Sequence, residues 1–356
     1  MRVVITIQHP AHVHFYRHVI DLLTDRGHEV FVFARENDLA VPLLERYDIP
    51  HEVLAGPQES LVGLARVQLT YEWRLLRRAR AIEPDVMTAV GGVAVSHVSR
   101  LVGARSVVFL DNEGIASHRI TVPFADVVAT PRRFGEELGD GHRRYDGYHE
   151  LAYLHPDRFD PSPDRLRAHG VEPEGPYAVL RFRKWDALHD VGEGGLSPAG
   201  KERLVSTFAD AGDVFVTSTE TLPPALAAHR LPVPPELIHD LLYFADWYAG
   251  DSATMATEAA LLATPSLRIQ SFADRELDLS NFLELAEYGL VRSTADEDEG
   301  LSIAREWVAD PELSATWRRR RRRLLAEKID VAPFVADLLV EPEAAVGRAR
   351  PTTAAD

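Results

Sequence analysis

The sequence predicts an α/β protein built from two similar halves, each a parallel sheet covered by helices on both faces. Three observations carry that expectation. Short β-branched runs alternate with helical stretches from Val3 to Ala129, the alternation blurs between Gly135 and Gly175, and it restarts at Tyr177. A length of 356 residues suits two domains of ordinary size.

Taken in order, Val3 to Ile7 is buried-strand material and is followed by the loop QHPAHVH. Phe15 to Asp25 reads as a helix, closed by Gly27 where a left-handed residue is favoured. Strand Glu29 to Phe33 completes a right-handed βαβ unit. The pattern goes on through helix Asn37 to Tyr47, strand His51 to Leu54, helix Leu61 to Ile82, strand Asp85 to Val90, helix Ala94 to Val102, and strands Ser106 to Leu110 and Asp126 to Ala129. The stretch from Gly135 to Gly175, rich in Gly, Pro, Asp, His and Tyr, is the best interdomain crossing.

In the second half, strands are expected at Tyr177 to Arg181, Val214 to Thr217, Asp246 to Ala249, Ser266 to Ile269 and Leu290 to Arg292. Helices are expected at Pro198 to Ala209, Glu236 to Phe244, Thr254 to Leu262, Asn281 to Glu287 and Gly300 to Val308. Trp317 to Ile329 and Ala332 to Leu339 are helical, and Glu341 to Asp356 has the composition of a disordered tail.

Composition narrows the function. There are no cysteines, which excludes disulfides, thiolate metal sites and cysteine nucleophiles. The start MRVVITIQHPAH reads as a strand and its loop rather than a signal peptide, and no apolar run reaches membrane-spanning length, so a cytoplasmic location is expected. Acidic residues outnumber basic ones 55 to 39, and only Lys184, Lys201 and Lys328 are lysines. Such a surface suits a high-salt cytoplasm and points to a halophilic source. A net charge of −16 argues against nonspecific nucleic-acid binding. Six consecutive arginines, Arg318 to Arg323, point all round a helix and read as a solvated, salt-bridged face, with weak peripheral contact to an anionic membrane as the minor reading.

The stretch GDSATMATEAALLATPSL, Gly250 to Leu267, concentrates the chemistry. A strand feeds directly into a helix that Asp251 or Ser252 can cap, so unpaired N–H groups at Ser252, Ala253 and Thr254 can hold a phosphate. Glu258 lies one turn beyond Thr254, placed to accept from a ribose. The plainer reading is a capped core helix with Glu258 as a solvated charge.

Other strand-end loops offer candidates, since ligands of open parallel sheets bind there. His12 can act as a base or contact an acceptor, or it can satisfy its own loop. His12 and His14 have the spacing of a metal clip but lack a carboxylate beside them, so no metal is expected. Gly91 and Gly92 allow close backbone approach. Asp111, Asn112 and Glu113 leave a strand together, and such carboxylates can raise one another's pKa to prepare a base. RFRKWDALHDVGEGG gathers Arg181, Arg183 and His189 for phosphate oxygens, and its glycines suggest a mobile loop.

These pieces resemble a known family. HPAHVHFYRHVI with RGHEV, LDNEG, PFADVVATP, GYHELAYLHP, RFRKWDALHDVG and NFLELAEYGLV are similar to a family of archaeal and bacterial proteins of unknown function, placed among the glycosyltransferase-B-like folds with nucleotide-sugar epimerases and transferases. The likeness runs from Met1 to Leu339. It implies two Rossmann-like domains facing a cleft: residues 1–160 an acceptor domain, 175–330 a nucleotide-binding domain, then a terminal helix at 331–340 and a disordered tail at 341–356. Asp251, Ser252 and Ala253 with Glu258 match the epimerases' diphosphate and ribose site, although Ala253 and Thr254 replace its glycines. Glu113 and Gly114 resemble their catalytic glutamate loop, while Gly91 and Gly92 stand where they carry an aspartate.

The expectation is therefore a metal-independent glycosyltransferase without a cofactor, taking a nucleotide diphosphate sugar and an unknown acceptor. His12 or Glu113 would serve as base, and Ser252, Ala253, Thr254, Glu258, Arg181, Arg183 and His189 would bind the donor. A nucleotide-sugar 2-epimerase-like enzyme and a noncatalytic nucleotide-sugar binder remain the alternatives. Oligomeric state is unknown.

Overall fold

A computed structural model describes residues 1–351 except 38, 57–60, 183–194, 219–221, 271–272 and 274–278, and of 61–66 the backbone alone. Arg183, His189 and the expected mobile loop lie outside the described residues. The chain divides into two compact units, Met1–Phe159 with Glu327–Asp356, and Asp160–Ala326. Among the described residues no helix is long and apolar enough to cross a membrane.

The first unit is organised on a sheet of seven strands: β1 (Arg2–Ile7), β2 (Glu29–Arg35), β3 (His51–Ala55), β4 (Val86–Val90), β5 (Arg105–Phe109), β6 (Val127–Pro131) and β7 (His142–Tyr145). Their order is β3-β2-β1-β4-β5-β6-β7, with every pair parallel. The order reverses between β1 and β4, the switch point at which strand-end loops diverge. Helices α1 (Pro10–Asp25), α2 (Ala40–Arg46), α3 (Leu61–Ile82) and α4 (Val93–Val102) follow the first four strands. Val3, Val4, Ile5 and Ile7 are fully buried, as a strand covered on both faces requires.

Three expectations for this unit need correction. The stretch QHPAHVH is mostly helix: His9 caps α1, its Nδ1 accepting from Ala11 N at 3.2 Å, and Pro10 opens the first turn with its φ already helical. Strand β7 falls inside the stretch read as a crossing, because HRRY has no apolar alternation to betray it. Pro342–Arg348 is a helix rather than a disordered tail; Ala345 is buried, and Arg348 pairs with Asp337 of the preceding helix Val331–Val340. That preceding helix packs with α1, and Arg26 reaches Asp337 at 2.7 Å.

The second unit carries β8 (Tyr177–Phe182), β9 (Asp213–Ser218), β10 (Trp247–Gly250), β11 (Ser266–Ile269) and β12 (Val291–Thr294), ordered β12-β11-β10-β8-β9 and all parallel. Its arginine run lies in the helix Leu313–Glu327 and is not merely a solvated face. Arg320 donates to Gly289 O at 2.7 Å and stacks over Trp317, and Arg321 donates to Leu261 O at 2.5 Å. Leu261 ends the helix Ala253–Leu261, so Arg321 sits at the negative pole of the helix whose positive pole is Ser252.

Candidate functional site

In the second unit β10 ends at Gly250 and the chain turns at once into the helix Ala253–Leu261. The turn is tight because a Cβ at Gly250 would come within 2.2 Å of Arg181 O on β8. Asp251 N donates to that same carbonyl at 3.2 Å, and Gln270 holds Asp251 O. Ser252 has extended backbone angles and its Oγ accepts from Met255 N at 3.4 Å, a capping arrangement. The N–H groups of Ala253 and Thr254 have no partner among the described residues, and both residues are half-buried. An anion placed there would meet two backbone donors and the helix pole.

Arg181 stands at the end of β8, paired in register with Gly250 on one side and Thr217 on the other. Its Nη1 donates to Thr217 Oγ1 at 2.8 Å, and its buried Nε has no hydrogen-bond partner among the described residues. Glu258 is neither solvated nor lone. It is 4% exposed and its Oε1 lies 3.0 Å from Nε2 of the buried His239. The sequence named Glu258 but not His239, whose only signal was an imidazole within the apolar run of the helix Ile238–Phe244.

The first unit gathers a different set. His12 lies in the first turn of α1, its Nδ1 accepting from Gln8 N at 3.4 Å. Burial, then the neighbouring His9, pushes its pKa down to about 3, against the pull of Asp111. Asp111 follows β5, and its Oδ2 is 3.3 Å from Nδ1 of His149. Burial alone would raise the Asp111 carboxyl, but the charge and hydrogen bond of His149 outweigh it and hold the carboxyl below its ordinary value. That corrects the idea that clustered carboxylates here raise one another. His149 is 6% exposed, packs on Phe15 with centroids 4.9 Å apart, and its Nε2 is buried with no hydrogen-bond partner among the described residues. His149 lies within GYHELAYLHP, yet nothing in the spacing ties it to Asp111.

Glu113 is half-buried, its Oε1 accepting from Gly135 N at 3.1 Å, while Gly114 N donates to Glu136 at 2.6 Å. This exchange pins the LDNEG loop to the segment after β6. Gly91 and Gly92 both have positive φ, and a Cβ on Gly92 would lie 2.6 Å from Val108, so the close approach they allow is to the core. His12 and His14 form no clip: His14 Nδ1 is 3.3 Å from the Tyr47 hydroxyl, while His12 faces Gln8. His155, Asp157 and Asp330 have ligand atoms within 4.8 Å of one another, but Asp330 already takes Arg158 at 2.7 Å and Ala332 N, as an ion-pair network does.

The chain's relatives can now be set beside this geometry. Residues 1–155 match the model of a family described as "Protein of unknown function (DUF354)". No curated protein matches in sequence. Among solved structures, the spinosyn forosaminyltransferase SpnP is similar at a TM-score of 0.63 and 16% identity, over 98% of this chain and 99% of that one. A UDP-N-acetylglucosamine 2-epimerase is similar at 0.62 and 15%, over 92% and 94%. The glycosyltransferase VinC, solved in complex with dTDP, is similar at 0.60 and 16%, over 98% and 99%. At these identities the likeness is one of fold, and the fold is that of two Rossmann-like α/β domains of the glycosyltransferase-B kind.

Proposed function

We propose that the chain is a glycosyltransferase that moves a sugar from a nucleoside diphosphate donor to an acceptor hydroxyl. The observation that carries this reading is the helix end at Ser252: the backbone N–H groups of two half-buried residues just past a strand terminus, with Arg181 on the adjoining strand, its Nε without a hydrogen-bond partner among the described residues. That the chain shares its fold with a forosaminyltransferase and with a glycosyltransferase solved in complex with dTDP supports it.

In this reading the second unit holds the nucleotide. The acceptor O–H gives its proton to a general base, the oxygen attacks the anomeric carbon, and the bond from that carbon to the diphosphate oxygen breaks. The departing diphosphate takes the electron pair, and the N–H groups of Ala253 and Thr254 with Arg181 stabilise its charge. Burial holds His12 neutral at physiological pH, its pKa pushed down to about 3, so as a base it is weak and depends on Asp111. Asp111 is the carboxylate that favours the imidazolium as it forms. Glu258, fixed by His239, accepts from the ribose, and Glu113 holds the loop that carries Asp111.

A 2-epimerase-like reaction on the same donor is the second reading, favoured by the similarity to a UDP-N-acetylglucosamine 2-epimerase. It would yield an altered sugar nucleotide with no acceptor added. Calorimetric titration with uridine, guanosine and thymidine diphosphates tests both readings. At least one should bind, and Arg181→Gln should weaken it about tenfold or more. Failure of all three to bind removes both readings.

A further inference from the structure

Helix α3 breaks with the charge balance of the chain. It carries Arg66, Arg74, Arg77, Arg78 and Arg80 against one carboxylate, Glu72, in a protein of net charge −16. Glu72 is turned toward α4, accepting from Gln68 at 2.8 Å and lying 3.6 Å from His97. The outward face is left to apolar and cationic groups. Leu69 is 68% exposed and Trp73, one turn on, is 56% exposed. Arg77, a further turn along, stacks on Trp73 with its guanidinium carbon 4.9 Å from the ring centroid.

The arginines differ in what already holds them. Arg78 pairs with Glu52 at 2.7 Å, and Arg74 donates to Leu54 O on the edge strand β3 at 2.7 Å. Arg77 and Arg80 are exposed and have no carboxylate partner among the described residues. Beside the stripe, Glu52, Val53 and Leu54 with Trp73, Arg74, Arg77 and Arg78 line a groove of about 520 Å³, whose one carboxylate, Glu52, is held by Arg78.

We propose that this face of α3 docks the protein on an anionic lipid surface. Leu69 and Trp73 enter the boundary between headgroups and acyl chains, and Arg77 and Arg80 bond lipid phosphates, with Arg74 at the mouth of the groove. A surface helix that pairs adjacent exposed apolar side chains with cations has the composition of an interfacial helix. Charge complementarity selects this occupant. A second copy in a two-fold contact would set arginine against arginine, and a nucleic acid leaves Leu69 in water. The run Arg318 to Arg323 is the weaker candidate, since Arg320 and Arg321 are spent on carbonyls of their own unit. The proposal does not rest on the glycosyl-transfer reading.

Co-sedimentation of the full chain with vesicles tests it. The protein should pellet with vesicles of mixed phosphatidylglycerol and phosphatidylcholine and stay in solution with pure phosphatidylcholine. The double variant Leu69→Asp with Trp73→Asp should lose at least tenfold in partitioning, Arg77→Gln and Arg80→Gln about fivefold each, and Arg318→Gln with Arg319→Gln nothing. All these side chains are exposed, and an unchanged circular dichroism melt verifies that the variants fold. Absence of wild-type binding to the anionic vesicles overturns the proposal, as does equal binding to both vesicle types. So does a Leu69 and Trp73 variant that binds like wild type, or a loss confined to the Arg318 and Arg319 variant.

Discussion

The two sheets end in different chemistry. Beyond the strands of the first unit stand ionisable side chains, His12, Asp111 and His149, the last two in contact at 3.3 Å. Beyond those of the second stand backbone groups that do not: the N–H groups of Ala253 and Thr254, brought close by Gly250. One end is fit to move a proton and the other to hold a fixed anion. The same strand-helix repeat therefore yields two kinds of candidate site because different residues occupy the strand-to-helix turns.

The sharpest way to break the contrast is at Gly250. A methyl there would sit 2.2 Å from the Arg181 carbonyl oxygen, a backbone atom that cannot swing aside, so one of β8 and β10 must move. Gly250→Ala should cost about 3 kcal/mol in urea unfolding and abolish nucleotide binding. Gly91 in the first unit is the control: its Cβ would meet nothing within 4 Å, and only its φ of +80° resists. Gly91→Ala should then cost about 1 kcal/mol. Equal costs at the two glycines would mean that close packing is not what builds the second site.

Titration should separate the units next. The His12 pKa is lowered from 6.5 to about 3, so the unfolded chain binds the extra proton throughout that window. The sign follows: His12 contributes its stability above pH 6.5 and loses it progressively as pH falls toward 3. His12→Gln should flatten the stability difference between pH 7 and pH 4.5 by about 2 kcal/mol, with His18, lowered to about 4, leaving a residual slope. An undiminished slope in the variant would show that His12 is not held neutral by burial.

What the sequence made legible follows the same physical divide. Strands such as VVITI and SLRI announce themselves because burial on both faces demands continuous apolar or β-branched residues. Ser252 was readable because a cap is a local event, decided within four residues. The pairing of Asp111 with His149, and of Glu258 with His239, was not readable, since each contact is made by folding distant segments together. The same holds for the return of the helix Val331–Val340 to the first unit, where an apolar run says that it is buried but not against which sheet. The start of α1 at Pro10 was local and was still misread, because His9 is an uncommon cap.

Ser252 gives the smallest effect and the finest discrimination. Its hydroxyl accepts from Met255 N, while the N–H groups of Ala253 and Thr254 have no partner among the described residues. Ser252→Ala removes that cap and should cost about 1 kcal/mol of stability, measurable as a lower urea midpoint at unchanged slope. If the nucleotide diphosphate is held by backbone and helix pole, its affinity should fall only a few-fold, since neither open N–H group is touched. A loss as large as that of Arg181→Gln would instead assign the hydroxyl itself to the phosphate. The second unit's site would then depend on a side chain, as the first unit's does, and the contrast between them would narrow to whether that side chain titrates.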